Sequence, residues 1–171
     1  MKIQKTNAMR MLDKAKIPYE LFTYEVDESD LSGTHVAECV GMPCSQVFKT
    51  LVAKGDKTGH VVFVIPVDKE IDLKAAAVAS GNKRVEMIAV KDLLAATGYI
   101  RGGCSPVGMK KRFPTFFHST ALSFETIYVS AGVRGLQFEI NPADLISFVG
   151  GSVADVVGQV LAVTPEAVPD R

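Results

Sequence analysis

The chain has 171 residues, of which 47% are hydrophobic and 22% charged; this balance is typical of one globular domain and excludes a disordered segment. Lys and Arg together number 19, as do Asp and Glu, and the resulting net charge of zero excludes a general nucleic-acid binder that relies on surplus positive charge. Cys39, Cys44 and Cys104 have neither C-x-x-C nor zinc-like spacing, which predicts reduced thiols and no metal site.

The predicted elements follow from capping residues, helical spacing and apolar runs. In chain order, the first half is predicted to contain a helix at 7–16 capped by Thr6, a strand at 19–24, a short helix from a Thr34 cap to Val40, a helical turn after Pro43, and strands at 48–53 and 61–67. The second half is predicted to contain a helix from Asp72 to Gly81, a strand at 85–89, a helix at 91–97, strands at 116–118, 126–130 and 136–140, and a helix from Asn141-Pro142 to Val149.

Several of these strands follow one another through turns and do not alternate with helices. The pattern therefore predicts an α+β fold with a mixed or largely antiparallel sheet, curled or closed into a barrel and surrounded by helices. Residues 1–158 are expected to form one domain, with a flexible C-terminal tail at 159–171. No signal core and no apolar run of about 18 residues is found, which predicts a soluble, cytoplasmic protein with no membrane contact.

Lys49 is the first candidate for chemistry because it lies where an apolar strand begins. If Phe48 and Val52 face one side of the strand, Lys49 and Leu51 face the other. A lysine there is able to reach a cavity and hold a phosphate or an oxygen that develops negative charge. The alternative is a lysine that extends from a strand edge into water.

A glycine-rich loop, Gly102–Gly108, is the second candidate. Successive backbone amides in such a loop are able to bind an oxyanion or a phosphate, although a tight turn between a helix and a strand explains the composition equally well. The basic run Lys110-Lys111-Arg112 follows it and suits either a solvated face or an RNA backbone.

A glycine turn between two strands places Ser130, Gly132 and Arg134 close together and is the third candidate. A hairpin accounts for the pattern, and the open question is whether these residues also line a pocket. Cys104 and Cys44 are possible nucleophiles, but neither has an adjacent base in the sequence, and a free cysteine is more often a small buried hydrophobic residue. The three histidines are isolated, and no hydrolase, nucleotide-binding or zinc-protease motif is present.

Three blocks together resemble the bacterial YbaK/EbsC family, free-standing relatives of the editing domain inserted in prolyl-tRNA synthetase. They are Val47-Phe48-Lys49-Thr50-Leu51, Gly98-Tyr99 with Gly102-Gly103-Cys104-Ser105-Pro106-Val107-Gly108, and Ile127-Tyr128-Val129-Ser130-Ala131-Gly132 with Arg134-Gly135-Leu136. Within the family, the sequence is most similar to the YbaK branch, which removes cysteine from proline tRNA. The resemblance runs from Lys5 to Gly158.

The resemblance implies cleavage of an aminoacyl ester on tRNA without a metal or a cofactor. It implies that Lys49 is the catalytic residue and that the substrate is bound by Tyr24, Thr50, Gly102, Gly103, Ser130, Gly132 and Arg134. It also implies that the cysteinyl thiol of the substrate attacks its own ester carbonyl. The family often carries an aromatic residue in the loop after the tyrosine, whereas this chain has Asp30-Leu31-Ser32-Gly33 there.

The expected partners are the acceptor end of tRNA(Pro) and, in a weak or transient complex, prolyl-tRNA synthetase; the protein itself is expected to be a monomer. Three other functions remain open from the sequence. The first is a sister deacylase for alanine or another small amino acid on proline tRNA. The second is a non-catalytic module that binds tRNA or a nucleotide, and the third is a hydrolase that uses Ser130 or Cys104.

Overall fold

Short polar side chains cap four of the five α-helices in the computed structural model, which describes residues 4–158. Thr6 accepts a hydrogen bond from the Met9 amide, Asp72 from the amides of Lys74 and Ala75, and Asn141 from that of Asp144. The helices of this part of the chain are α1 (Asn7–Lys14), α2 (Gly33–Val40), α3 (Leu73–Ser80), α4 (Val90–Thr97) and α5 (Pro142–Val149). Four of them end on a left-handed glycine, which provides the backbone geometry of a helix C-terminus without strain.

Eight strands within residues 4–158 form two sheets. They are β1 (Tyr19–Thr23), β2 (Phe48–Gly55), β3 (Gly59–Pro66), β4 (Val85–Met87), β5 (Thr115–His118), β6 (Ile127–Ser130), β7 (Leu136–Ile140) and β8 (Ser152–Ala154). The smaller sheet has the order β1-β7-β6 and is antiparallel. The larger has the order β4-β2-β3-β5-β8, with antiparallel β4-β2-β3 pairs and parallel β3-β5-β8 pairs.

A shared apolar core joins the two sheets. The inward residues of β7, Leu136, Phe138 and Ile140, pack in the same cluster as Phe48 and Val52 of β2. A single bridge between Val47 and Tyr128 brings the start of β2 next to β6. The predicted α+β single domain with a mixed sheet is therefore confirmed, in the form of two sheets that meet at the start of β2.

Some predicted boundaries differ from the structure. Ser32, not Thr34, caps α2, because its hydroxyl accepts from the His35 amide and the helix begins one residue earlier at Gly33. Helix α1 ends at Lys14, and Lys16 adopts a positive φ of 62° where a helix to residue 16 was expected. The predicted strand at 85–89 stops at Met87, and Ala89 is instead the N-cap of α4.

Strand β8 was not predicted at all, and the predicted flexible tail at 159–171 lies outside the described residues. Each α-helix in the described part of the chain has eight residues, too few to span the apolar core of a bilayer.

The turn of the β2–β3 hairpin, which carries Lys49 on its first strand, depends on the buried side chain of Asn82. Its Oδ1 accepts from the amides of Lys57 and Thr58 at 2.8 and 3.0 Å, and its Nδ2 donates to the hydroxyls of Thr58 and Ser80. We expect Asn82→Ala to lower the free energy of unfolding by about 1–3 kcal/mol, because two amides lose their acceptor. Urea unfolding measures this change.

The matched control is Lys83→Ala at the exposed neighbouring position. A stability of Asn82→Ala equal to that of the control would contradict the role of Asn82 in the turn.

Candidate active site

A cavity of about 650 Å³ lies along the first half of β2. Strand β4 pairs with β2 only over Ala53–Gly55. On the edge of β2 that faces β4, residues 48–51 therefore have no strand partner in the described chain. The remaining walls come from the start of α2, the turn after β3, the start of α4, the Gly102 turn and the β6–β7 hairpin. The volume lies within the usual range for small-molecule sites, about 300–1,000 Å³.

Lys49 lines this cavity, as expected for the catalytic candidate. Phe48 and Val52 belong to the main apolar cluster, while Leu51 packs against a second cluster, so the predicted division of the strand faces is confirmed. The side chain is half buried, and among residues 4–158 its ammonium has no hydrogen bond or ion pair. A cation that is partly removed from water without a counter-charge is suited to attract a negatively charged ligand.

Two other polar atoms in the cavity wall are buried and unpaired. Both residues line the cavity, and within residues 4–158 Thr50 Oγ1 and Gln137 Oε1 have no hydrogen-bond partner. Buried polar atoms in native proteins are nearly always paired, so two unpaired atoms on residues that line the same cavity suggest that a ligand supplies the missing partners. Thr50 was among the predicted substrate-binding residues.

Gln137 was missed in the sequence. It lies opposite Ser130 in the β6–β7 pair and is 5% exposed. The alternation of Leu136, Phe138 and Ile140 predicts that Gln137 faces away from the core, and a polar side chain there is ordinarily solvated. In the structure that face borders the cavity. The sequence signal that could have identified Gln137 was its position on the strand directly after the predicted site residue Ser130.

The glycine loop contributes one open amide. Gly102 lines the cavity with φ of 88°, and in the described chain no acceptor takes its N–H. The N–H of Gly103 donates to the Ile100 carbonyl at 2.9 Å, so this predicted substrate-binding residue has its amide engaged. The hydroxyl of Tyr99 donates to the Val107 carbonyl and anchors the far end of the loop. Burial raises the pKa of Tyr99 to about 12.

Of the other four predicted substrate-binding residues, one lines the cavity and three do not. Ser130 lines it, and its hydroxyl accepts from the Gly132 amide at 3.2 Å. Tyr24, Gly132 and Arg134 do not belong to the cavity wall. Tyr24 is half buried and its amide donates to the Gly135 carbonyl. A Cβ on Gly132 would lie 3.2 Å from the Tyr99 ring, so this glycine serves close packing behind the site.

The charged groups of the wall include two carboxylates that the sequence did not indicate. Asp68 and Glu70, in the turn after β3, line the cavity together with Arg101. No histidine is found in the wall, and within residues 4–158 no group of three His, Cys, Asp or Glu side chains is able to hold a metal ion. The basic run 110–112 also lies outside this wall, and Lys111 and Arg112 border a separate cleft of about 110 Å³.

Cys104 lines the cavity in surroundings that disfavour its thiolate. Its side chain is buried, and desolvation raises the pKa of the thiol to about 12, against a smaller opposing effect of a hydrogen bond with Thr97. We expect iodoacetamide to label Cys104 at least about tenfold more slowly than exposed Cys39 in the folded protein, because the thiolate is the reacting species.

Mass spectrometry of the labelled peptides measures both rates, and unfolding in urea should remove the difference. Equal rates in the folded protein would instead support a reactive Cys104 and the hydrolase hypothesis.

Comparisons with known proteins cover most of the chain. A family model described as an aminoacyl-tRNA editing domain matches residues 32–148, which include the cavity walls from Ser32 to Gln137. A protein of Enterococcus faecalis, named "Putative Cys-tRNA(Pro)/Cys-tRNA(Cys) deacylase EbsC", is 52% identical over 90% of this chain and 93% of its own length.

Two solved structures share the fold. One is described as "a putative trans-editing enzyme for prolyl tRNA synthetase"; it has a TM-score of 0.75 at 22% identity and covers 91% of this chain and 100% of its own. The other, hypothetical protein APE2540, has a TM-score of 0.79 at 23% identity and covers 87% of this chain and 97% of its own.

Proposed function

We propose a reaction for this cavity on one premise: the chain belongs to the aminoacyl-tRNA editing domain family. The proposed reaction is the removal of cysteine that has been wrongly attached to proline tRNA. The identity of 52% to the EbsC protein, extending over nearly the full length of both chains, supports this substrate. The expectation drawn from the three sequence blocks leads to the same family.

The observation that carries the proposal is the set of unpaired groups around one cavity. Lys49 has a half-buried ammonium, Thr50 a buried hydroxyl and Gln137 a buried amide oxygen; all three residues line the cavity, and each of these groups has no partner in the described chain. An aminoacylated adenosine offers a phosphate, a carbonyl oxygen and an ammonium group. These groups complement the cation, the donors and the acceptor of the wall.

The cavity has no histidine in its wall, and its cysteine has a raised pKa, so we propose that the substrate supplies the nucleophile. The cysteinyl sulfur forms a bond to its own ester carbonyl carbon, and the bond from that carbon to the ribose oxygen breaks. The proton of the thiol ends on the ribose oxygen, and cysteine leaves as a cyclic thioester. Because the reacting groups are tethered, the protein has only to fold the aminoacyl group and stabilise charge.

In this scheme Lys49 neutralises the terminal phosphate or the carbonyl oxygen, and it favours the thiolate form of the substrate. The open amide of Gly102 donates to the carbonyl oxygen. Thr50, Ser130 and Gln137 orient the aminoacyl group through hydrogen bonds. The three predicted residues outside the wall, Tyr24, Gly132 and Arg134, act through the segments they support.

The partners follow from the same proposal. The acceptor end of tRNA(Pro) enters the cavity, and Arg101 in the wall offers one contact for a phosphate. With a net charge of zero, the chain has few surplus cations for the rest of the tRNA. We therefore propose that prolyl-tRNA synthetase selects the tRNA, that their complex is transient, and that the protein acts as a monomer in the cytoplasm.

The experiment that tests the function is deacylation of Cys-tRNA(Pro) by the purified protein. Release of cysteine together with the cyclic thioester supports the proposal. Binding of the aminoacyl-tRNA without turnover would support the non-catalytic module, and release of alanine alone from Ala-tRNA(Pro) would assign the chain to a sister specificity.

A further inference from the structure

Arg134 joins two segments that flank the cavity although it does not line the cavity itself. Its Nε donates to the Arg101 carbonyl at 2.8 Å, and its Nη1 lies 3.0 Å from each carboxylate oxygen of Glu28. Arg101 precedes the Gly102 turn, and Glu28 belongs to the loop between β1 and α2. One guanidinium thus connects the glycine turn to that loop.

The loop at residues 27–32 has its own internal order. Asp27 accepts from the amide and the hydroxyl of Ser29, and Asp30 does the same for Ser32. These two turns set the positions of Leu31 and Ser32, which both line the cavity. Beyond Ser32 the chain is packed tightly, since a Cβ on Gly33 would lie 2.4 Å from Val67 Cγ1.

The contacts around Gly102 show how closely the two segments meet. A Cβ at this position would lie 3.2 Å from Arg134 Nε and 3.6 Å from Leu31 Cδ2. Gly102, Leu31 and Arg134 therefore form one contact, in which Leu31 lies against the turn that offers the open amide. Any movement of the loop changes both the apolar wall and the surroundings of that amide.

We propose that the Glu28–Arg134 ion pair is a latch that closes residues 27–32 over the aminoacyl group, with Arg134 as a positioning residue. The closure role rests on the proposed function, whereas the latch itself does not. The side chain of Arg134 is 26% exposed and that of Glu28 69%, so the ion pair is open to screening by salt. Such a pair is weak enough to release when the acceptor end arrives and strong enough to bias the loop toward the closed position.

The first test is amide hydrogen exchange of the ligand-free protein. Glu28→Gln keeps the size of the side chain and removes its charge. We expect residues 27–32 to exchange about two- to fivefold faster in this variant, as the loss of a partly exposed ion pair implies. Raising the salt concentration should accelerate exchange of the same residues in the wild type and leave the variant unchanged.

The matched control is Glu25→Gln, in the same stretch of chain. The carboxylate of Glu25 is exposed and makes no ion pair with the described residues. Equal exchange at 27–32 in Glu28→Gln and Glu25→Gln would overturn the latch. This result needs no substrate, so it is separable from failure of the proposed function.

The second test measures deacylation of Cys-tRNA(Pro). Glu28→Gln is expected to raise KM severalfold and to leave kcat nearly unchanged, because Lys49, Thr50 and the Gly102 amide are still present. Glu28→Asp keeps the charge on a shorter side chain, and its KM should lie between those of Glu28→Gln and the wild type. An equal loss in Glu28→Gln and Glu28→Asp, or a loss confined to kcat, would contradict the positioning role.

Discussion

Lys49→Ala is expected to lower kcat for deacylation of Cys-tRNA(Pro) by a factor of about 10²–10³ or more. This loss of kcat is the size expected when one preorganised charge or hydrogen-bond donor is removed from an ester-cleaving site. Lys49 is half buried in the wall of the cavity, and no described carboxylate neutralises it, so its charge is available to the substrate. Single-turnover deacylation with enzyme in excess measures the chemical step directly.

The matched control for this variant is Lys54→Ala. Lys54 lies on the same strand, pairs in register with His60, and is exposed away from the cavity. Its loss removes the same charge from the protein but not from the site, so activity should stay near that of the wild type. Equal rates for Lys49→Ala and the wild type would exclude the lysine from the reaction, whereas equal losses in both variants would indicate an effect of overall charge on tRNA binding.

Replacing the amino acid on the tRNA should have the second large effect. We expect Cys-tRNA(Pro) to be cleaved at least about 10²-fold faster than Ala-tRNA(Pro), because alanine lacks the tethered nucleophile that supplies most of the rate. Fit to the pocket accounts for only about 10–200-fold when an apolar side chain changes by one small group, so a ratio above that range indicates the tethered nucleophile. The amino acid released and the cyclic thioester are measured by mass spectrometry.

A closer control is tRNA(Pro) charged with S-methylcysteine, in which the sulfur is retained and its proton is replaced. This ester should remain uncleaved, as the alanyl ester should, but it should still inhibit cleavage of Cys-tRNA(Pro) by binding in the cavity. Cleavage of the methylated or the alanyl ester at the rate of the cysteinyl ester would contradict the substrate-thiol mechanism. It would instead favour a nucleophile or base from the cavity wall, which includes Ser130 and two carboxylates.

Local chemistry made much of the fold predictable. The caps at Thr6, Asp72 and Asn141 are found where the sequence places them, because each is a short side chain at a fixed offset from the amide it accepts from. The α2 cap was wrong because Ser32 and Thr34 both suit the role, and the Asp30 turn positions Ser32 first. Strand β8 escaped prediction because three residues at a sheet edge carry too little pattern.

The candidate site was predictable only in part. Lys49, Thr50, Gly102 and Ser130 belong to sequence blocks with a distinctive composition, and all four line the cavity. Gln137, Asp68 and Glu70 were missed because each has the pattern of an ordinary solvated position on a strand or in a turn. Only the meeting of two sheets at the start of β2 places them at a cavity, and sequence spacing does not describe that meeting.

The pairing of β1 with β7 has a consequence for how the protein is made. Tyr19 pairs with Ile140, which follows roughly 120 positions later in the chain, and such non-local closure slows folding. The cavity needs Leu31 near one end of this span and Gln137 near the other. During synthesis we therefore expect the cavity to form only after β7 has left the ribosome, and we expect the nascent chain to lack activity toward charged tRNAs until then.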